Sequence, residues 1–232
     1  MDTVNMLSGG AAQGLVRGLA DTFKAQTGFA IDGEFGAVAT MADKLRAGAP
    51  ADLVVLTQAL LAKLAEERLV IPASIADVGR VETALAVRSR DPRVTVKTEA
   101  ELRDVLRAAD AIFVPDIKAS TAGRHVAKVL DQLGIGYELA SRLRIFPDGA
   151  TAMRELAASS GQRPIGCTQA TEIIATDGVA LSGPLPIGYE LVTMYTAGVT
   201  MHAAHPGEAR ALIALLAGAD QRELRRRVGF AG

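Results

Sequence analysis

Several residues of this 232-residue chain are of types that can do chemistry, and their spacing says which chemistry. Ser120 and Thr121 precede Arg124 and His125 across a short Ala-Gly pair. Two hydroxyls, a guanidinium and an imidazole in six residues can hold a carboxylate: the fork of Arg124 pairs with it bidentately while the hydroxyls donate. His125 is a weak candidate for a general base. Cys167 stands beside Thr168 and Gln169, but no histidine is placed near it by sequence, so a nucleophilic thiolate lacks its partner. His202 and His205 form an H-x-x-H pair without a third ligand, so no metal site is expected. No carboxylate pair with acid–base spacing and no phosphate loop of the G-x-x-x-x-G-K type occur, and no cofactor is expected.

The second kind of candidate is backbone. Ser8-Gly-Gly-Ala11 follows the apolar run Val4-Asn-Met-Leu7, and Gly36-Ala-Val38 follows Ala30 to Phe35; each opens a helix. Gly-rich strand-to-helix turns aim free N–H groups and the positive end of a helix dipole at whatever lies beyond the strand ends. Ser8, Gly9, Gly10, Ala11, Gly36, Ala37 and Val38 are therefore candidate ligand contacts. In the second half, Ser120, Thr121, Arg124, Gly149 in the turn Pro147-Asp-Gly149, and Thr168 with Gln169 complete the set.

The elements that must position these turns follow from periodicity. Leu15, Leu19 and Phe23 mark a helix closed by Gly28; Met41 and Leu45 mark a second, stopped near Gly48 and Pro50; a strand at Leu53–Leu56 leads to a third helix over 58–68. This βαβαβα order predicts a parallel sheet covered on both faces, with its turns on one edge. Val81–Val87 reads as a longer strand, Thr98 and Glu101 as a capping box, and strands near 111–114, 143–146 and 165–167 alternate with helices. Residues 191–201 read as another long strand, and Pro206 as the first residue of a helix. The two long strands are expected to cross between lobes: residues 1–82 with 193–232, and residues 83–192.

Composition sets the outer bounds. With 25 basic and 26 acidic residues the net charge is −1, which gives no electrostatic footprint for nucleic acid. No run reaches the roughly 18 apolar residues of a membrane span, so no membrane insertion is expected. The single cysteine excludes an internal disulfide. As written the chain shows no signal peptide, which implies a cytoplasmic protein, or a periplasmic one if a leader was trimmed.

Read together, Val4-Asn-Met-Leu-Ser-Gly-Gly-Ala11, Phe23-Lys-Ala-Gln-Thr-Gly28, Arg46-Ala-Gly-Ala-Pro-Ala-Asp-Leu53, Thr121-Ala-Gly123 and Arg227-Val-Gly-Phe230 resemble the periplasmic molybdate-binding proteins of ABC transporters. The resemblance implies an α/β, type II periplasmic-binding-protein fold: two α/β lobes joined by two crossing strands, with a ligand cleft between them. It also implies a small anionic ligand captured by lobe closure and, if the protein is exported, an ABC transporter permease as partner. The family's two molybdate serines align with Ala11 and Val38, and its pocket tyrosine with Gln169; Ser8 and Thr40 lie near the lost hydroxyls without replacing them. A tetrahedral dianion needs several convergent donors, so a small organic carboxylate is expected in place of molybdate. Bacterial aconitate isomerase looks like a relative, and isomerisation of an unsaturated or hydroxy carboxylate is the alternative to simple capture.

Overall fold

The computed structural model describes residues 2–231; Met1, on which the starting point of the reading frame turns, and Gly232 lie outside the described residues. The chain divides into two compact units, Met1–Val81 with Thr193–Gly232, and Glu82–Val192.

The first unit opens with β1 (Thr3–Gly9), α1 (Gln13–Thr27), β2 (Ala30–Gly36), α2 (Val38–Arg46), β3 (Leu53–Thr57) and α3 (Gln58–Glu66). β1 lies parallel to both β2 and β3, with Gly9 opposite Gly36 and Ser8 opposite Val55, so these strands end on one edge. α1 buries Leu15, Val16, Leu19 and Phe23, and Gly28 ends it at φ 79°, the left-handed position where a residue without Cβ is unstrained.

Asp52 explains why the run before β3 is so particular. Its side chain is 1% exposed and accepts the backbone N–H of Asn5 and that of His205, each at 2.8 Å. One buried carboxylate thereby fixes the first strand and the segment that enters the last helices. The His205 ring packs edge-on against Phe29, with centroids 5.0 Å apart.

β4 (Ala76–Arg88) takes the chain into the second unit, beginning five residues earlier than the expected strand at Val81. There follow α4 (Glu99–Ala108), β5 (Ala111–Pro115), α5 (Thr121–Gln132), α6 (Gly136–Leu139), β6 (Leu143–Phe146), α7 (Gly149–Ala158), β7 (Pro164–Gln169), α8 (Ala170–Ile174) and β8 (Val179–Pro184). β5 runs parallel to β6 and β7, so the turns into α5, α7 and α8 share an edge; β4 runs antiparallel to β7, with Thr83 opposite Gln169. Leu85, Leu102, Ile112, Val126, Leu130 and Ile165 build the core of this unit. Cys167 belongs to that core, and burial pushes its thiol up to about 12, which leaves it a small hydrophobe.

Further features differ from the expectation. β8, which pairs with β4, and the short α6 have no counterpart in the sequence pattern, and β7 extends through Thr168 and Gln169, beyond the expected strand at 165–167. The chain returns to the first unit through β9 (Val192–Val199), antiparallel to β3, followed by α9 (Pro206–Ala217) and α10 (Arg222–Arg227). α9 packs on α1, and Gly18 leaves room for Leu224 of α10, whose methyls lie 3.2 Å from where a Cβ would stand. No described helix is long and apolar enough to cross a membrane.

Candidate functional site

In the first unit the candidate residues gather at the ends of β1 and β2. Ser8 is fully buried, and its hydroxyl donates to the Gly9 carbonyl at 2.9 Å. Gly9 has ordinary extended backbone; what it needs is space, because a Cβ would stand 2.8 Å from Val38 and 3.0 Å from the Tyr195 ring. Gly10–Ala12 form one 3-10 turn that runs into α1, and Ala11 is 1% exposed. Ala37 occupies the N-cap of α2, with Val38 as its first residue.

The helix starts on this edge share a property. Neither the turn at Gly10 nor α1, α2 or α3 has a side chain capping its first N–H groups. Uncapped first-turn donors are an outstanding hydrogen-bonding obligation, and together with the helix dipoles they form a positive edge without any cationic side chain. Thr40, near the lost hydroxyls, is exposed in the first turn of α2.

The second unit is organised differently. Asp116 accepts the N–H groups of Lys118 and Ala119 at 2.7 Å each, which orders the loop after β5 and holds this carboxyl below its ordinary range. Ser120 caps α5 through the N–H of Gly123 at 3.4 Å. Gly123 is obligatory for close approach, because a Cβ would overlap the Asp116 and Pro115 carbonyls. The Thr121 hydroxyl is buried with no hydrogen-bond partner among the described residues. Arg124 is exposed, and one arm of its guanidinium donates to the Lys118 carbonyl at 2.8 Å, leaving the rest of its fork to other acceptors. His125 Nε2 lies 2.7 Å from the Tyr189 carbonyl. A carbonyl only accepts, so this nitrogen carries the proton and ties α5 to the loop at 189.

Gly149, Thr168 and Gln169 converge on a residue that the sequence reading did not single out. Glu172, in the first turn of α8, is 7% exposed; it accepts the Thr168 hydroxyl at 2.6 Å and the N–H groups of Gln169 and Gly149. Burial raises its carboxyl to about 7, the Thr168 hydroxyl pulls it back, the charge of Asp148 raises it further, and the two N–H donors lower it. Asp148 itself caps α7, accepting Thr151 N–H at 2.7 Å and the Thr151 hydroxyl at 3.0 Å. The signal available in sequence was an acid four residues beyond Thr168 at a helix start, where a carboxylate meets the positive end of the dipole.

A groove of about 370 Å³, lined by Val87, Val94, Val105, Ala109 and Ile165 among others, also touches Pro164. It therefore opens toward the start of β7, away from the turn at Gln169.

A family model described as bacterial extracellular solute-binding protein matches residues 4–231. The chain belongs to that family. It is 26% identical over 229 residues to an aconitate isomerase from a Pseudomonas species, covering 94% of this chain and 83% of the relative. Among solved structures, the periplasmic molybdate-binding protein of Azotobacter vinelandii superposes with a TM-score of 0.81 at 18% identity over 99% of both chains. The sulfate-binding protein SubI of Mycobacterium tuberculosis H37Rv gives 0.76 at 19% identity, over 99% of this chain and 86% of SubI. These likenesses establish the type II periplasmic-binding-protein fold.

Proposed function

We propose that this solute-binding protein captures a small organic carboxylate, using turn N–H groups at 8–11 and 36–38 of the first unit and at 120–124 of the second, while the turns at 148–150 and 168–170, whose Gly149 and Gln169 N–H groups serve Glu172, face the rest of the ligand. The supporting observation is the edge of the first unit: uncapped helix starts, with Ala11 and Val38 where hydroxyls would serve a tetrahedral oxyanion. Backbone donors suit the two oxygens of a planar carboxylate, whereas a buried tetrahedral dianion needs more convergent donors than these positions supply. Arg124 adds the cationic side chain of the site, and in an exported protein the liganded form is delivered to an ABC permease. A thermal-shift screen of mono-, di- and tricarboxylates, with molybdate and sulfate as comparators, tests this; a shift with the inorganic anions alone overturns it.

A second reading is favoured by one specific likeness, the 26% identity to aconitate isomerase over 94% of the chain. Glu172, held near 7, is in the range suited to shuttling a proton at neutral pH. Incubating the protein with cis-aconitate in D2O and following deuterium incorporation by NMR separates this reading from simple capture.

A further inference from the structure

We infer that Glu172 is a specificity-determining residue: its carboxylate occupies the N–H groups of Gly149 and Gln169 that would otherwise receive an oxyanion, so the second unit meets an uncharged oxygen of the ligand there. This deepens the carboxylate reading above and rests on it. The candidate contacts of this edge are already engaged. The Gly149 and Gln169 N–H groups and the Thr168 hydroxyl all donate to Glu172. The fit leaves nothing to spare, since a Cβ on Gly149 would overlap both the Glu172 carboxylate and the Thr168 hydroxyl.

A resident carboxylate in this position acts in two ways. It consumes the donors, and while ionised it repels any further anionic group brought to the same turn. Two buried hydroxyls, one adjacent to Glu172 in the chain and one across the sheet from Gln169, point to what is accepted instead. Thr171, in the same helical turn, and Thr83, the cross-strand partner of Gln169, are 2% and 1% exposed, and their hydroxyls have no hydrogen-bond partner among the described residues. A hydroxyl can donate to or accept from a neutral ligand oxygen beside a carboxylate, where a second full anion is disfavoured. The ligand class is thus a compact acid whose carboxylate is served elsewhere and which carries a hydroxyl or carbonyl oxygen for this turn.

The charge on Glu172 is set by few neighbours. Asp148 faces it from α7; Thr83, Thr168 and Gln169 on β4 and β7 are uncharged, and β8 carries no ionisable side chain. Protonating Glu172 therefore removes the resident anion without a compensating charge change at its contacts.

Calorimetry on the full chain tests the inference with sulfate, molybdate and the carboxylate that gives the largest thermal shift. At about pH 8, where Glu172 is ionised, wild type binds the carboxylate and binds sulfate and molybdate at least roughly tenfold more weakly than does Glu172→Ala. Glu172→Gln lies between them. Folded variants that bind the inorganic anions no better than wild type overturn the role of Glu172. A gain for the inorganic anions alongside a wild type that binds no carboxylate sustains it and refutes the carboxylate reading. Wild type alone supplies a second test that needs no variant to fold: its sulfate affinity rises as the pH is lowered from about 8 to about 5.5. A flat sulfate affinity across that range overturns the inference.

Discussion

The Glu172 carboxylate rests on the backbone of Gly149 so closely that a methyl group at residue 149 would overlap it. This contact joins the starts of α7 and α8 through one buried acid, and several expectations depend on it. Gly149→Ala must push the carboxylate off its donors or shift the helix start. Overpacking of this kind costs on the order of 1–3 kcal/mol, and thermal melts should show a fall of several degrees without loss of helical signal. An unchanged melting temperature would show that the contact is looser than the structure has it.

Glu172 should also leave a signature in stability against pH. Its folded value is raised to about 7, above the ordinary value of about 4.3 for an unfolded chain, so the folded state holds the proton more tightly. The stabilising contribution is complete below the unfolded value and is lost as pH rises through 7, on the order of 3 kcal/mol in all. Melts from about pH 5 to about pH 8 should show wild type declining relative to Glu172→Gln. Asp148→Asn keeps an N-cap of equal quality but removes the like charge, so the decline should end at lower pH and be smaller in total. Parallel profiles for wild type and Glu172→Gln would contradict the assignment.

Asp52 is expected to matter for folding and not for binding. Asp52→Ala leaves the N–H groups of Asn5 and His205 without their acceptor, at up to about 1–3 kcal/mol for each half-buried donor and less where water reaches it. Asp52→Asn retains one acceptor oxygen and should cost less. Denaturant titration measures both, and ligand affinity of the surviving folded fraction should equal that of wild type.

Arg124→Ala has the opposite profile. The side chain is exposed and bonds only to the Lys118 carbonyl among the hydrogen bonds described, so the ligand-free melting temperature should barely move. Losing a charge-assisted contact to a bound carboxylate costs about 1.5–3 kcal/mol, or roughly 10- to 150-fold in affinity. Calorimetric titration of wild type and variant decides it, and equal affinities would remove Arg124 from the site.

Much of the architecture was legible because its signals are local. Gly28 closes α1 at positive φ, Pro206 opens α9, and the Thr98–Glu101 capping box forms in both halves. Each is decided by a few neighbouring residues. β8 was not legible: Val179-Ala-Leu-Ser-Gly-Pro is short and interrupted by glycine, and it is a strand only because β4 offers it an edge. The same limit applied to the candidate contacts. Turns rich in glycine and hydroxyls could be located, but the fact that Gly149, Thr168 and Gln169 serve Glu172 depends on α7 and α8 starting side by side, which is a property of the sheet and not of any one segment. Asp52 likewise gives no local signal of its role, since its two acceptor contacts reach residues 47 and 153 positions away.

The central claim is that the anion is an organic carboxylate and not a tetrahedral oxyanion. Isothermal titration of the full chain at about pH 8, with the best carboxylate of the screen and with molybdate in separate runs, tests it most directly. The account predicts saturable heat with the carboxylate and none with molybdate at the same concentrations. Saturable molybdate binding, with no carboxylate producing heat, would contradict it.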